Sequence, residues 1–362
     1  MPVSAAREIA ALIVPSLVAA CGGDGGAIGP ATSGPTDPPQ AIATQIIDDF
    51  AVEDLAVIVG DASGEIWTYE KGGFSADEAH LIASASKWLS ASVIMTLVEQ
   101  GVLELSDNPQ DHLAWWTSAV DDVRSHVTLE QLLSFTAGFD HSDLDVACIE
   151  DATTTLDQCA QTLYAGELGF DPGSTFSYGP AHLQVAAAMA EQATGQSFRA
   201  LLQLQLVSAL GLTQTDAFVP SPANPRVAGG LTSSARDYAT FLRALLSGDF
   251  LASVRGTMLE DRTALPVVIA QRPSVIDDSA FDFHYALGAW RECLQPLWDT
   301  QCEPVRVASS PGAFGWYPWI DFERGYFAVI AMREGTVDGQ SATAAAMALS
   351  LQLRPIIDDI VP

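Results

Sequence analysis

Lysine is almost missing from this chain: Lys71 and Lys87 are the only two among 362 residues. Lysine and arginine together number 16 against 45 acidic residues, for a net charge of −29. Such a surface repels nucleic acid and anionic lipid, so neither is expected as a partner. The acid is spread along the chain instead of gathered in a tail, which suits a solvated surface in a saline medium. Cysteine is sparse, five in all, with no C-x-x-C pair and no His/Cys cluster at metal-ligand spacing. No metal or other cofactor is therefore expected. His80, His112, His126, His141, His182 and His284 show no spacing tied to a serine, and no G-x-S-x-G elbow occurs, which argues against a Ser-His-Asp hydrolase. His182, close after Tyr178, is the one histidine expected near a site. The pairs Asp48-Asp49, Asp121-Asp122 and Asp277-Asp278 read as solvated faces and not as glycosidase or metal carboxylates. No internal repeat and no nucleotide-binding glycine pattern appears.

Arg7 followed by an apolar run from Ile9 to Ala20 reads as an export signal, too short to span a bilayer as a mature helix. Its end, Val18-Ala19-Ala20-Cys21, resembles a bacterial lipoprotein signal, in which the cysteine is lipidated. Residues 1–20 are then the signal peptide and 21–40 a Gly-, Pro-, Ser- and Thr-rich tether. The resemblance implies a lipid-anchored protein of the bacterial cell envelope, periplasmic or outer-membrane, that touches the membrane through its anchor only. Four cysteines remain. Two local bridges, Cys148–Cys159 and Cys293–Cys302, are the economical pairing, each contributing roughly 2–3 kcal/mol by loop entropy; free thiols are the alternative.

Apolar spacing predicts a helix over 41–55, strands at 56–60 and 65–69 joined by Asp61-Ala62-Ser63-Gly64, and a long helix from Ser84 to Gly101. Helices then dominate: 128–135, 181–194, 197–210 and 234–246, mostly stopped by glycine. Strands return at 285–294, 305–309, 313–320 and 326–333, before a closing helix over 340–360. The layout is α+β: an antiparallel sheet made by both chain ends and flanked by helices, with a mainly helical insert. Residues 41–105 and 250–362 would form the α/β part of one domain spanning 41–362, and 106–249 the helical part. The cleft between them is a natural place for a site.

Ser84-Ala85-Ser86-Lys87 heads the long helix. At that spacing both side chains share one face, so the amine reaches the hydroxyl, and the helix N-terminus favours developing negative charge. A free lysine is almost wholly protonated at neutral pH, so the site must depress Lys87 or supply another base. Asp171-Pro172-Gly173-Ser174-Thr175-Phe176-Ser177-Tyr178-Gly179 offers one, because a phenolate beside a cationic lysine titrates below its free value. Ser309-Ser310-Pro311-Gly312-Ala313-Phe314-Gly315 opens a predicted strand, where glycine lets a carbonyl approach the backbone and a strand edge can donate to an oxyanion.

Serine and lysine, then tyrosine, then a glycine-bearing strand resemble the serine β-lactamase and penicillin-binding-protein superfamily, in its class C-like branch of lactamases, DD-peptidases and esterases. The resemblance runs from about Ile46 to Arg333 and includes Thr128–Gly138 and Gly229–Asp237. It implies Ser84 as nucleophile, Lys87 as its proton partner, Tyr178 as relaying base, and an oxyanion hole from the N–H groups of Ser84 and Ala313. Ser310, Gly312, Phe314 and Trp316 would border the substrate. Phe314, Trp316, Tyr317 and Trp319 either line an apolar acyl pocket or simply alternate on a half-buried strand. Three positions depart from the pattern: Phe135 stands where histidine is usual, Ser310 where lysine or histidine is usual, and Pro180 where asparagine is usual. The expectation is an esterase-like serine hydrolase acting on a small ester or amide with a neutral or hydrophobic acyl group. The alternatives are a DD-peptidase or weak β-lactamase acting on peptidoglycan-like substrates, or an idle envelope protein that only binds.

Overall fold

The computed structural model describes residues 38–140, 147–337 and 339–361. The expected signal peptide, Cys21 and His141 lie outside the described residues, as does nearly all of the tether. Helix α1 (Pro39–Asp49) starts on a proline, whose fixed φ suits a first turn, and buries Ala43 and Ile47. Its C-terminal end is closed by Lys71, which donates to the carbonyls of Ile47, Asp48 and Phe50 at 2.9, 3.0 and 2.7 Å. One of the two lysines thus serves as a helix cap.

Seven antiparallel strands form the main sheet. Strands β1 (Leu55–Asp61) and β2 (Gly64–Lys71) come from the front of the chain. From the back come β3 (Asp282–Tyr285), β4 (Trp290–Cys293), β5 (Val307–Ser309), β6 (Tyr317–Asp321) and β7 (Tyr326–Met332). The spatial order is β3-β4-β5-β6-β7-β1-β2. Leu55 pairs with Met332 and Asp61 with Tyr326, so the two chain ends are sewn together at β1 and β7. Every residue of β7 is buried, as expected of a central strand covered on both faces.

Helix α2 (Ser86–Glu99) is buried on all sides from Ser86 to Leu97. Its sequence is apolar around most of the circumference; Ser86 and Ser90 bond neighbouring backbone and Ser92 meets the Met258 sulfur. Helix α3 (Ala181–Thr194) packs against it, α4 (Ala235–Ser247) lies on β1 and β7, and α5 (Ala342–Ile360) packs on β6, β7 and α1. Helix α4 was grouped by sequence with the helical insert, yet its wide apolar stripe is spent on the sheet. Both cysteine pairs are bridged, Cys148 to Cys159 and Cys293 to Cys302.

Two strand assignments need correction. The run 285–294 is two strands, because the chain turns at Gly288, where φ is 83° and an added Cβ would lie 2.3 Å from that of Ala91 on α2. The run 313–320 becomes a strand only at Tyr317; residues 312–316 are a tight turn in which the Gly312 N–H donates to the Trp316 carbonyl at 2.8 Å. Sequence reading also missed the short strands that pair His80–Leu81 with Leu231–Ser233, and Thr175–Ser177 with Val268–Gln271. Two- to four-residue strands carry too little alternation to register.

Candidate active site

Ser84 is reached through Ala83, whose φ of 46° is left-handed. For a non-glycine residue this costs on the order of 1 kcal/mol, and the surroundings must hold it. They do so from three sides. The Ile82 N–H donates to Leu231 at 3.1 Å, the Tyr238 hydroxyl to the Ala85 carbonyl at 2.8 Å, and the Ser310 hydroxyl to the Ser84 carbonyl at 3.3 Å. Residues 83–85 form a short 3-10 turn leading into α2, which puts Ser84 at the helix head and Lys87 in its first turn.

The segment after Arg226 is fastened to the same helix. Ser90 donates to the Val227 carbonyl at 2.8 Å, and Ser86 accepts from the Leu231 N–H at 3.1 Å. That brings the Ala228 carbonyl to the Lys87 amine, which donates to it at 2.8 Å and to Ser84 Oγ at 2.9 Å. The amine also lies 4.6 Å from the centre of the Tyr178 ring. It meets the face of the phenol, while the Tyr178 side chain hydrogen-bonds with Ser84. Tyr178 is held by aromatic neighbours: Trp290 stacks at 5.5 Å, and Phe135 meets it edge-on at 5.4 Å. Serine, amine and phenol are therefore brought together.

Their protonation differs from the sequence expectation. Burial first, and then the positive charge of Arg226, pull Lys87 down to about 7, so a large share of the amine is neutral near neutral pH. Burial pushes the Tyr178 phenol well above its ordinary value, only partly offset by its bond to Ser84. The expected phenolate is therefore not favoured in the resting site, because desolvation disfavours an anion there. His182 is fully buried behind Phe135, with Nε2 at 3.1 Å from the Ser177 carbonyl, and burial lowers it to about 3. It is a neutral packing residue.

The third segment closes the site from the sheet side. Gly312 is needed because an added Cβ would lie 2.2 Å from the Ile82 carbonyl, so the close approach is to the protein's own backbone. Thr343, in the first turn of α5, fixes that carbonyl segment by donating to Gly312 O at 2.9 Å. Ala313 is exposed beside Ser84 and lines the same cavity. Trp316 does not border substrate; it is fully buried against Tyr238. Phe314 is half-buried against the core, and the side chain of Ser310 is turned to Ser84 O.

Two cavities meet at Ser84. One of about 200 Å³ is lined by Tyr178, Pro273, Val275, Ile276, Trp290 and Ala313, with Pro311 and Thr343. The other, about 190 Å³, is lined by Lys87, Ile149, Glu150, Pro180, Arg226 and Gly229, among others. Arg226 forms an ion pair there with Glu150, on the turn that the Cys148–Cys159 bridge anchors.

The family model for beta-lactamases matches residues 42–351, most of the chain. The chain belongs to the beta-lactamase family. A Bacteroides dorei protein provisionally described as a beta-lactamase has a solved structure that is 28% identical, with a TM-score of 0.73, covering 88% of this chain and 97% of that one. EstCE1, described as a hydrolase with promiscuous acyltransferase activity, shares the fold at 19% identity and a TM-score of 0.69, covering 88% of this chain and 97% of its own. Protein flp of Staphylococcus aureus is 22% identical over 134 residues, 37% of this chain and only 27% of that protein.

Within this beta-lactamase fold, sequence reading missed Trp290, Val275, Ile276, Thr343 and Arg226. They approach Ser84 from segments more than a hundred residues away. Trp290 alone carried a signal, as a large aromatic residue at a strand start; the others had none.

Proposed function

We propose that this beta-lactamase-family hydrolase works through an acyl-enzyme on Ser84 and prefers neutral, apolar esters. The observation that carries the reading is a hydroxyl, a half-neutral buried amine and a phenol around the cavity that Arg226 and Glu150 also line. Ser84 Oγ attacks the carbonyl carbon and its proton passes to the neutral Lys87 amine. The oxyanion is met by the backbone N–H groups of Ser84 and Ala313. As the bond to the leaving alcohol breaks, the alkoxide regains a proton from Lys87, directly or through the Tyr178 phenol. Water then attacks the acyl carbon and gives its proton to Lys87. The bond to Ser84 Oγ breaks, that proton returns to the serine, and a free acid departs.

Preference for an uncharged ester is supported by two departures from the family pattern. Ser310 offers no cation, and its hydroxyl is already committed to the Ser84 carbonyl; Pro180 offers no side-chain amide to the Lys87 cavity. Among the described residues a substrate carboxylate finds no cationic partner on the Trp290 side. The test is a fluorophosphonate probe read by mass spectrometry on the Ser84 peptide, together with hydrolysis of short p-nitrophenyl esters. Labelling and turnover are expected, and both are expected to vanish in Ser84→Ala. Hydrolysis that persists in that variant overturns the mechanism, and a folded protein that neither labels nor turns over is an idle scaffold. We further place the protein at the bacterial envelope through a lipidated Cys21, on the N-terminal pattern alone; palmitate labelling should be lost in Cys21→Ala.

A further inference from the structure

The apolar cavity beside Ser84 shares a wall, Val275, with a neighbouring cavity. That residue lines it and also lines a larger cavity of about 500 Å³ between residues 274–281 and the first half of α5. The junction recurs on the opposite wall, where Thr343 borders the first cavity and Ala344, the next residue of α5, borders the second. From there Ala344, Met347, Ala348 and Leu351 follow at helical spacing, opposite Ala280 and Phe281. Among the described residues the lining of this groove carries one charge, Asp278; its other polar members, such as Ser274 and Gln340, are neutral.

We infer that the substrate is an ester with an extended, uncharged aliphatic chain, whose far end lies in the groove between residues 274–281 and α5. This rests on the reading of Ser84 as nucleophile. A dry cavity of about 150 Å³ holds a benzene-sized group, so the space next to Ser84 is filled by about six to eight carbons. A longer chain has to pass Val275 and enter the groove. The apolar residues of these walls bury its methylenes, and among the described residues the lining gives an anionic group no cation to pair with. Each methylene buried there contributes up to about fourfold in kcat/KM.

Two ester series, each kept below its micelle concentration, test this. One is p-nitrophenyl alkanoates from acetate to dodecanoate, with the chain on the acyl side. The other is alkyl acetates from ethyl to dodecyl, with the chain on the alcohol side. In one series kcat/KM should keep rising beyond eight carbons, and that series identifies which half of the ester occupies the groove. Ala344→Trp should cut the ratio of kcat/KM for the long ester over its short homologue at least tenfold. Ala348→Trp, about 6 Å farther along the helix, should allow a longer chain before the same cut appears. The second variant changes an exposed position and serves if the first fails to fold. If both series are flat or falling beyond four carbons while Ser84 still labels with fluorophosphonate, the groove inference is overturned and the nucleophile stands. If labelling and turnover are both absent, the nucleophile reading falls and takes this inference with it.

Discussion

The two cavities that meet at Ser84 have nearly equal volumes and opposite chemistry. On one side Trp290, Val275, Ile276 and two prolines present apolar surface, and Thr343 points its hydroxyl away to the Gly312 carbonyl. On the other side Lys87, Arg226 and Glu150 gather three ionisable groups, with Arg226 and Glu150 paired to each other. Tyr178 borders both sides, and the amine lies on the second, where burial and then the charge of Arg226 lower it. In the proposed mechanism the apolar side selects the substrate and the charged side tunes the base.

Lys87→Met breaks the charged side most severely. We expect kcat/KM to fall by about 10³-fold or more, the loss typical of a missing proton acceptor. The same change should stabilise the fold. Lys87 is depressed in the folded state, so the unfolded chain binds this proton more readily. The penalty is absent above the ordinary lysine range, grows as pH falls, and is complete below about 7. The variant should therefore be more stable than the parent at pH 6, by on the order of 2 kcal/mol after loss of two hydrogen bonds, and should lose that advantage by pH 10; denaturant melts at the two pH values check it.

Trp290→Ala tests the apolar side. It should cost about tenfold in kcat/KM for apolar esters, mainly through KM, while the acid limb of the pH profile stays in place. Movement of that limb would show that the two sides are not separate.

Smaller effects sharpen the comparison. Activity should rise with pH through about 7 as Lys87 loses its proton. Arg226→Gln removes a cation facing Lys87 and should move this limb up by about half a unit, whereas Glu150→Gln bares that cation and should move it down. The groups facing Lys87 among the described residues are Ser84, Tyr178, Arg226 and Glu150, so opposite shifts point to the pair. Smallest of all, the melting temperature should climb by a few degrees between low and molar salt, as the net charge of −29 is screened.

The proposed trio was legible because each member sits in a local pattern: Ser84 and Lys87 on one helix turn, Tyr178 after a glycine turn. The sheet was legible because β1 and β7 are long and uniformly apolar. Trp316 was misplaced because alternation says which residues share a face but not whether helix or solvent covers that face; here it is core. The apolar lining was invisible, since Val275 and Ile276 belong to a single helical turn of four residues, too short to show a period.

By itself the sequence determined the long helices and strands, the pairing of both chain ends in one sheet, and which hydroxyl, amine and phenol could work together, because these rest on short-range spacing and on burial of apolar runs. Only the tertiary structure decided which of them holds the proton. That depends on how far each group is removed from water and which charges face it, and both come from segments far apart in the chain. Burial lowers the amine and raises the phenol, which supports the proposal of Lys87 in place of Tyr178 as the base.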